Sequence, residues 1–538
     1  MPPGAMKVRR GPILLTVILG SGIVFLDGTI VNVALETIGR DLPSTLFGRL
    51  EGLTYVSSGY LAVLAALLIL AGALSDRVGR RRVFRLGLLG FGITSAICGA
   101  APNMEVLILA RLLQGAAGAL LVPGALSIIT ASFEGEERGR AIGIWAASTS
   151  ALVTLGPLLG GFLVQAVSWR AAFLVNLPLV LVALVALRAV PESRNEGDTG
   201  GLDWLGAIVA AVAVGGLAFG ATRGQEQAWQ DPLAFVALGI GALALVAFPV
   251  LMAVRPHPLV PLGLFRSRNF SVVNLSTLVI YGALYVSLTF QNLFLQGTLG
   301  YTPLASGMIG IPSSLLLTIL STPAGRLAGR YGARPFMVAG PLLMATGLLW
   351  ISRIPSTSMA WAATPSSVAS LVPPVDFLVD VLPTTLLFGL GIALLVAPLT
   401  TALMASIPVA RAGLGSAINN AISRVGAPLV SAVLFIAITA TFTPSLAAKA
   451  PGYARDSTPF SAIQPLAPAP AGTPADLVVA ARAASTEAFQ LAMRVAGGLL
   501  LVGALVNLVG LERRRAPRGA AGDPTATDDT AASSPTTT

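Results

Sequence analysis

The stretch GPILLTVILGSGIVFLDGTIVNVAL, residues 11–35, decides how the rest of the chain is read. It is apolar over the roughly 20 residues that a helix needs to cross a bilayer. Yet Asp27 sits well inside it, and Asn32 follows within the same run. A carboxylate at bilayer depth costs about 2.5–3.5 kcal/mol on insertion scales unless it is protonated, hydrated or paired, so an acid kept there marks a functional position. The run could be taken for a cleaved leader, because basic residues precede it. It is too long for that, it contains Asp27, and further runs of the same kind follow. We read it as the first of a series of retained helices.

The 538 residues are 54% hydrophobic and 11% charged, too few charges to cover a soluble surface of that size. Apolar runs recur at 12–35, 50–74, 83–101, 104–130, 139–166, 169–190, 203–221, 233–254, 271–296, 303–324, 335–352, 377–405, 411–440 and 487–511. That series predicts an all-α polytopic membrane protein of fourteen spans. The net charge of +10 could suggest nucleic acid, but its placement argues against that. Basic residues crowd alternate connections, among them Lys7, Arg9 and Arg10, then Arg77, Arg80, Arg81, Arg82 and Arg85, and finally Arg513, Arg514, Arg515 and Arg518. Basic loops face the cytoplasm, so both termini are expected there. The single cysteine, Cys98, and the single histidine, His257, leave no basis for a disulfide framework, a thiol metal site or a histidine cluster. No phosphate loop or nucleophile–base pair argues for an enzyme or for direct ATP drive.

An internal repeat organises the series. AGALSDRVGRRRV (71–83) and AGRLAGRYGARPF (324–336) align at a fixed offset, Gly72 with Gly325, Arg77 with Arg330, Gly79 with Gly332 and Arg81 with Arg334. Two six-helix halves with two extra helices between them is the arithmetic this implies, and duplicated halves around a midplane site are the usual build of secondary transporters. The expected divisions are a cytoplasmic start at 1–11, a first bundle at 12–190 and an insert at 191–270. A second bundle follows at 271–511, with outer loops at 353–376 and 441–486, and then a disordered tail at 512–538. The longer loop is read as extended at first, then as a short helix from Thr473, with Pro474 at its start, that leads into the last span.

At this point the sequence resembles the major facilitator superfamily, in its fourteen-helix drug–proton antiporter group. GALSDRVGRRR resembles the family's loop motif A, RLLQGAAGALLVPGA from Arg111 its motif B, and GPLLGGFL from Gly156 its antiporter motif C. LDGTIVNVAL in the first span and SWRAAFLVNLP entering the sixth point the same way. The likeness covers roughly residues 12 to 511. Glu36 departs from it, standing where the family usually has proline, as do Ala147, Ser148 and Ala151 where glycines precede the Gly-Pro. The resemblance implies proton-coupled efflux with no cofactor beyond the proton gradient. It also implies residence in a bacterial plasma membrane, with organic substrates, protons and lipid as partners, and a monomer is expected.

Each candidate residue has a bland and a functional reading. Asp27 could hydrogen-bond a neighbouring helix, or it could be neutral in one state and charged in another, as proton-coupled transport requires. Asn32 lies about 140° from Asp27 around the helix, so the two cannot face one cavity, and Asn32 is assigned to packing. Arg111 must find carboxylates, carbonyls or water, and it could simply hold helices together through Glu105 or Asp27. The resemblance implies a part in proton transfer, with Gln114 one turn on sharing its network. Gly72, Asp76, Arg77, Gly79, Arg80 and Arg81 could be basic anchors around a tight turn. The resemblance implies an inner gate, with the acid at the N-terminus of a helix from the other half. Gly156, Pro157, Gly160 and Gly161 allow close packing and a kink, and the resemblance implies a seal against proton leak. Asn274, Tyr281, Tyr285 and Asn292 share one helix face, suited to packing or, with Asp27, to a substrate cavity for amphipathic, cationic or lipophilic molecules. Arg424 and Arg494 could each line that cavity or snorkel.

The leading expectation is therefore an alternating-access exporter of amphipathic compounds. A dedicated exporter of one endogenous product and a non-transporting scaffold or sensor are the alternatives.

Overall fold

Helices break in this chain where glycine or a capping side chain ends them. The computed structural model describes residues 10–133, 135–193, 203–227, 229–407, 412–454 and 457–512. The expectations for the cytoplasmic start and the tail fall almost wholly outside these residues. The chain forms α1 (Arg10–Asp41), α2 (Tyr60–Val78, led in by Arg49–Thr54 and a π turn at Tyr55–Gly59), α3 (Arg80–Ala100), α4 (Met104–Ser132), α5 (Gly135–Ala166) and α6 (Asn176–Ala186, after a turn at Ala171–Leu174). Next come α7 (Trp204–Glu226), α8 (Pro232–Val254) and α9 (Arg268–Leu293, extended by a π turn at Phe294–Leu299). The last are α10 (Pro303–Tyr331), α11 (Arg334–Ile351), α12 (Leu382–Ala405, after a π turn at Phe377–Val381), α13 (Ala412–Lys449) and α14 (Ala475–Gly510). Among the described residues, thirteen helices are long and apolar enough to cross a membrane, and α5 adds a shorter apolar stretch at Ala151–Ala166.

Local chemistry sets the boundaries. Asn103 caps α4 by accepting from the Val106 amide, Asp231 caps α8 ahead of Pro232, and Thr302 caps α10 ahead of Pro303. Between α2 and α3 a single residue, Gly79, turns the chain at φ +122°, and between α10 and α11 two residues do so, Gly332 at φ +88° followed by Ala333. A side chain is strained at such angles. The sequence repeat thus returns as a repeated backbone joint.

Contacts between helix ends sort into two sets. On one side Arg10 meets Glu137, the Arg80 amide meets the Ser193 carbonyl, and Arg268 and Arg334 reach the carbonyls that end α14. On the far side Glu105 accepts from the amides of Thr45 and Leu46, Lys449 pairs with Glu487, and Arg482 donates to the Ser358 carbonyl. The first side carries the arginine-rich connections and is called the basic side below.

Helices α1–α6 pack as one bundle and α9–α14 as another, with α5 against α10 and α2 against α13 along the seam. The hairpin α7–α8 leans on α2 and α13. Arg223 of α7 fixes it, lying 3.5 Å from the buried Glu51 and 2.9 Å from Asp231. Glu36, unexpected in the first span, pairs with Arg49 at 3.3 Å.

The far-side loops differ from expectation. Helix α13 runs on to Lys449, and α14 is one helix from Ala475 rather than a short helix before a span. Residues 353–376, 450–454 and 457–474 fold inward, burying Trp361, Phe460, Ile463 and Leu466. Thr302 and Gln165, one from each bundle, both bond the Ala363 carbonyl in this cover.

Candidate functional site

Five helices of the first bundle converge on one carboxylate. Asp27 on α1 has no solvent exposure, and its partner Arg111 on α4 has 1%. An Arg111 Nη pairs directly with one Asp27 oxygen. The other oxygen accepts from Asn176 at 2.9 Å and from Gln114 at 3.2 Å. Gln114 and Asn176 also donate to Ser95 on α3, at 2.7 and 3.2 Å. Arg111 donates through Nε to the Val56 carbonyl at 3.1 Å, and its guanidinium lies 4.1 Å from the Tyr60 ring centre. Val56 belongs to the π turn that leads into α2, where the helical ladder is interrupted and a carbonyl is free to accept. A buried charge is tolerated when it is paired and hydrogen-bonded, and here both Asp27 oxygens and two guanidinium nitrogens have partners, while the Asn176 side-chain oxygen is buried without one.

A cavity of about 330 Å³ lies between the bundles. Its wall includes Phe25 and Asn32 of α1, Arg111, Tyr281, Tyr285 and Asn292 of α9, Phe388 of α12 and Arg424 of α13. Two expectations need correction here. Asp27 is not in the wall: it stands one layer behind, with Arg111 between it and the cavity. Asn32 holds the place given to Asp27, and its oxygen accepts from Thr289 of α9 at 3.2 Å. The angular separation of the two residues is as read from the sequence, but their faces are exchanged. Asn274 is not in the wall either. It shares the face of Tyr281 but sits seven positions, about 10 Å, nearer the basic side. There it donates to the Phe270 carbonyl and accepts from Asn419 of α13. The choice left open for two arginines is resolved, since Arg424 is buried at the cavity and Arg494 is exposed.

The glycines of motif C face two neighbours. Added side-chain carbons on Gly156 and Gly160 would meet α1 at Thr29 and Ile30, and one on Gly161 would meet the Pro303 carbonyl of α10. Gly307 of α10 in turn lies against the Pro157 carbonyl, while the Pro157 ring borders the cavity. The backbones of the two bundles therefore touch on the far side, with Gln165 accepting from the Leu304 amide just beyond at 3.1 Å. Backbone cannot swing aside, so Gly161→Val should separate the halves there. In a Cys98→Ala background, a Ser306→Cys variant should react roughly tenfold faster with an impermeant maleimide applied to the far side when Gly161→Val is added. Unchanged labelling would contradict the seal.

At the basic side Gly79 supplies the turn, whereas Gly72 lies within α2 against Pro123 and takes no part in it. The Arg81 amide donates to Glu192 at 3.1 Å, and Arg82 lies 3.7 Å from the same carboxylate. An acid thus caps the start of α3, but it comes from the end of the same bundle. Arg77 is exposed, and the Asp76 side chain lies outside the described residues.

Asn176, Ser95 and the Val56 carbonyl were not singled out in the sequence. Asn176 lies within the SWRAAFLVNLP stretch, where an amide in an apolar run was the available signal. Ser95 and a backbone carbonyl give no such signal.

Comparison with known proteins agrees with this architecture. The chain is 35% identical to the multidrug resistance protein Stp of Mycobacterium tuberculosis (strain CDC 1551 / Oshkosh), over 80% of this chain and 77% of that one. It is 34% identical to the puromycin resistance protein pur8 of Streptomyces alboniger, over 79% and 81%. It is 29% identical to the tetracenomycin C resistance and export protein of Streptomyces glaucescens, over 94% and 93%. Among solved structures, a bacterial homologue of the human lysosomal transporter Spinster superposes with a TM-score of 0.63 at 17% identity, covering 94% of this chain and 98% of that one. Residues 17–431 match the sequence profile of the Major Facilitator Superfamily, and with the fold and these relatives this establishes that the chain belongs to that family of transporters.

Proposed function

We propose that this multi-pass transporter exports amphipathic organic compounds from a bacterial cell in exchange for protons, by alternating access. The relatives named for multidrug, puromycin and tetracenomycin C resistance support export of this kind. The observation that carries the coupling is the Asp27–Arg111 pair directly behind the cavity wall, with Arg111 belonging to both. Substrate does not need to touch the carboxylate. When Asp27 takes up a proton, Arg111 loses the charge that holds it and can turn toward the cavity. When Asp27 releases the proton, the pair re-forms. The proton is thereby communicated to the cavity through a guanidinium that cannot itself deprotonate. Fourteen crossings put both termini and the basic side in the cytoplasm, with the far-side seam facing outward.

The test uses purified protein in sealed vesicles with an imposed pH gradient and a panel of fluorescent dyes and aromatic antibiotics. Movement of several compounds that needs the gradient is the expected result. Gradient-independent movement would overturn the coupling. Movement of none of the panel would favour a dedicated exporter of one product instead.

A further inference from the structure

The cavity wall contains arginine but, among the described residues, no aspartate or glutamate. Arg111 is neutralised from behind by Asp27. Arg424 is not. It is 5% exposed, no described carboxylate lies within ion-pair distance of it, and its Nε is buried without an acceptor. Its guanidinium lies 5.2 Å from the centre of the Phe25 ring. Burying a guanidinium without a counter-charge is costly, and the cost is recovered when an anionic group arrives from outside the protein. Around it the wall offers aromatic rings, Phe25, Tyr281, Tyr285 and Phe388, against which a flat apolar body can lie.

We propose that the cavity selects amphipaths that carry an anionic group, a carboxylate, phenolate or phosphate, bound at Arg424, and disfavours organic cations. This deepens the exporter reading above and rests on it for its biological meaning, though not for its test. A guanidinium offers a fork of donors to such groups, whereas a cationic substrate would meet an uncompensated positive charge. This also replaces the expectation of cationic substrates, which assumed that Asp27 lay in the wall.

The test is binding to full-length protein in detergent, measured by fluorescence polarisation with two dyes that share a xanthene ring system. Fluorescein is anionic and rhodamine 6G is cationic. Wild type should bind fluorescein at least about tenfold more tightly than rhodamine 6G, a difference of about 1.4 kcal/mol. Arg424→Gln should remove that preference, and Arg424→Lys should keep most of it. Equal or tighter binding of rhodamine 6G, no detectable binding of fluorescein, or an undiminished preference in a folded Arg424→Gln protein would each overturn the proposal. If Arg424→Gln does not fold, the wild-type comparison between fluorescein and its methyl ether methyl ester decides, since that compound carries neither carboxylate nor phenolate and should bind more weakly, and equal binding of the two would overturn the proposal. Fluorescein that binds but is not moved by a pH gradient would refute export and leave the anion site standing. Rhodamine 6G pumped in preference to fluorescein would do the reverse.

Discussion

Replacing Arg111 by leucine should destabilise the folded protein by about 3–5 kcal/mol, because it leaves a fully buried Asp27 without its counter-charge. The remaining donors to that carboxylate, Gln114 and Asn176, are neutral amides and cannot replace a guanidinium. The loss would be read as a large fall in the thermal midpoint of purified protein. Removing both charges together, in Asp27→Leu with Arg111→Leu, should recover most of it, since neither buried charge then remains. A double variant as unstable as the single one would show that Arg111 contributes through packing on Tyr60 and Phe173 rather than through the pair.

Asp27→Asn should abolish gradient-driven efflux while leaving a folded protein. The amide keeps the shape of the side chain and can still meet Asn176 and Gln114, but it cannot exchange a proton at any working pH. The stability loss should be smaller than for Arg111→Leu, and the geometry gives the reason. Arg111 keeps its bonds to the Val56 carbonyl and the Gln114 side-chain oxygen, and the amide oxygen of the substituted residue can still accept from it. With Arg111 removed, by contrast, the full charge of Asp27 is left with two neutral amide donors. Substrate exchange without a gradient should persist, because the halves can still rock. Full gradient-driven efflux in Asp27→Asn would remove the role assigned to this carboxylate.

Much of this arrangement was legible in the sequence. A carboxylate, a guanidinium and an amide inside apolar runs announced Asp27, Arg111 and Gln114, because each is too costly to keep in lipid without a partner. The repeat announced Gly79 and Gly332, because a joint of one or two residues that turns the chain at positive φ favours glycine. What could not be read was which way each helix faces. Periodicity gave the angle between Asp27 and Asn32, yet rotating α1 by that angle exchanges wall for interior without changing the pattern. Depth was hidden for a similar reason: Asn274 and Tyr281 share a face, but only the approach of α13 shows that Asn419 closes over the first of them. Glu192 as the cap of α3 was equally hidden, since the residues it joins are far apart in the chain.

The central claim is that Asp27 gains and loses a proton in the folded protein and that Arg111 responds. Infrared difference spectra of reconstituted protein, taken between mildly acidic and mildly alkaline buffer, test this most directly through the carbonyl band of a protonated carboxylic acid. The account predicts a band that appears on acidification in wild type, is missing in Asp27→Asn, and is accompanied by a shift in the guanidinium vibrations of Arg111. The same band persisting in Asp27→Asn, or no titrating band in wild type, would contradict it.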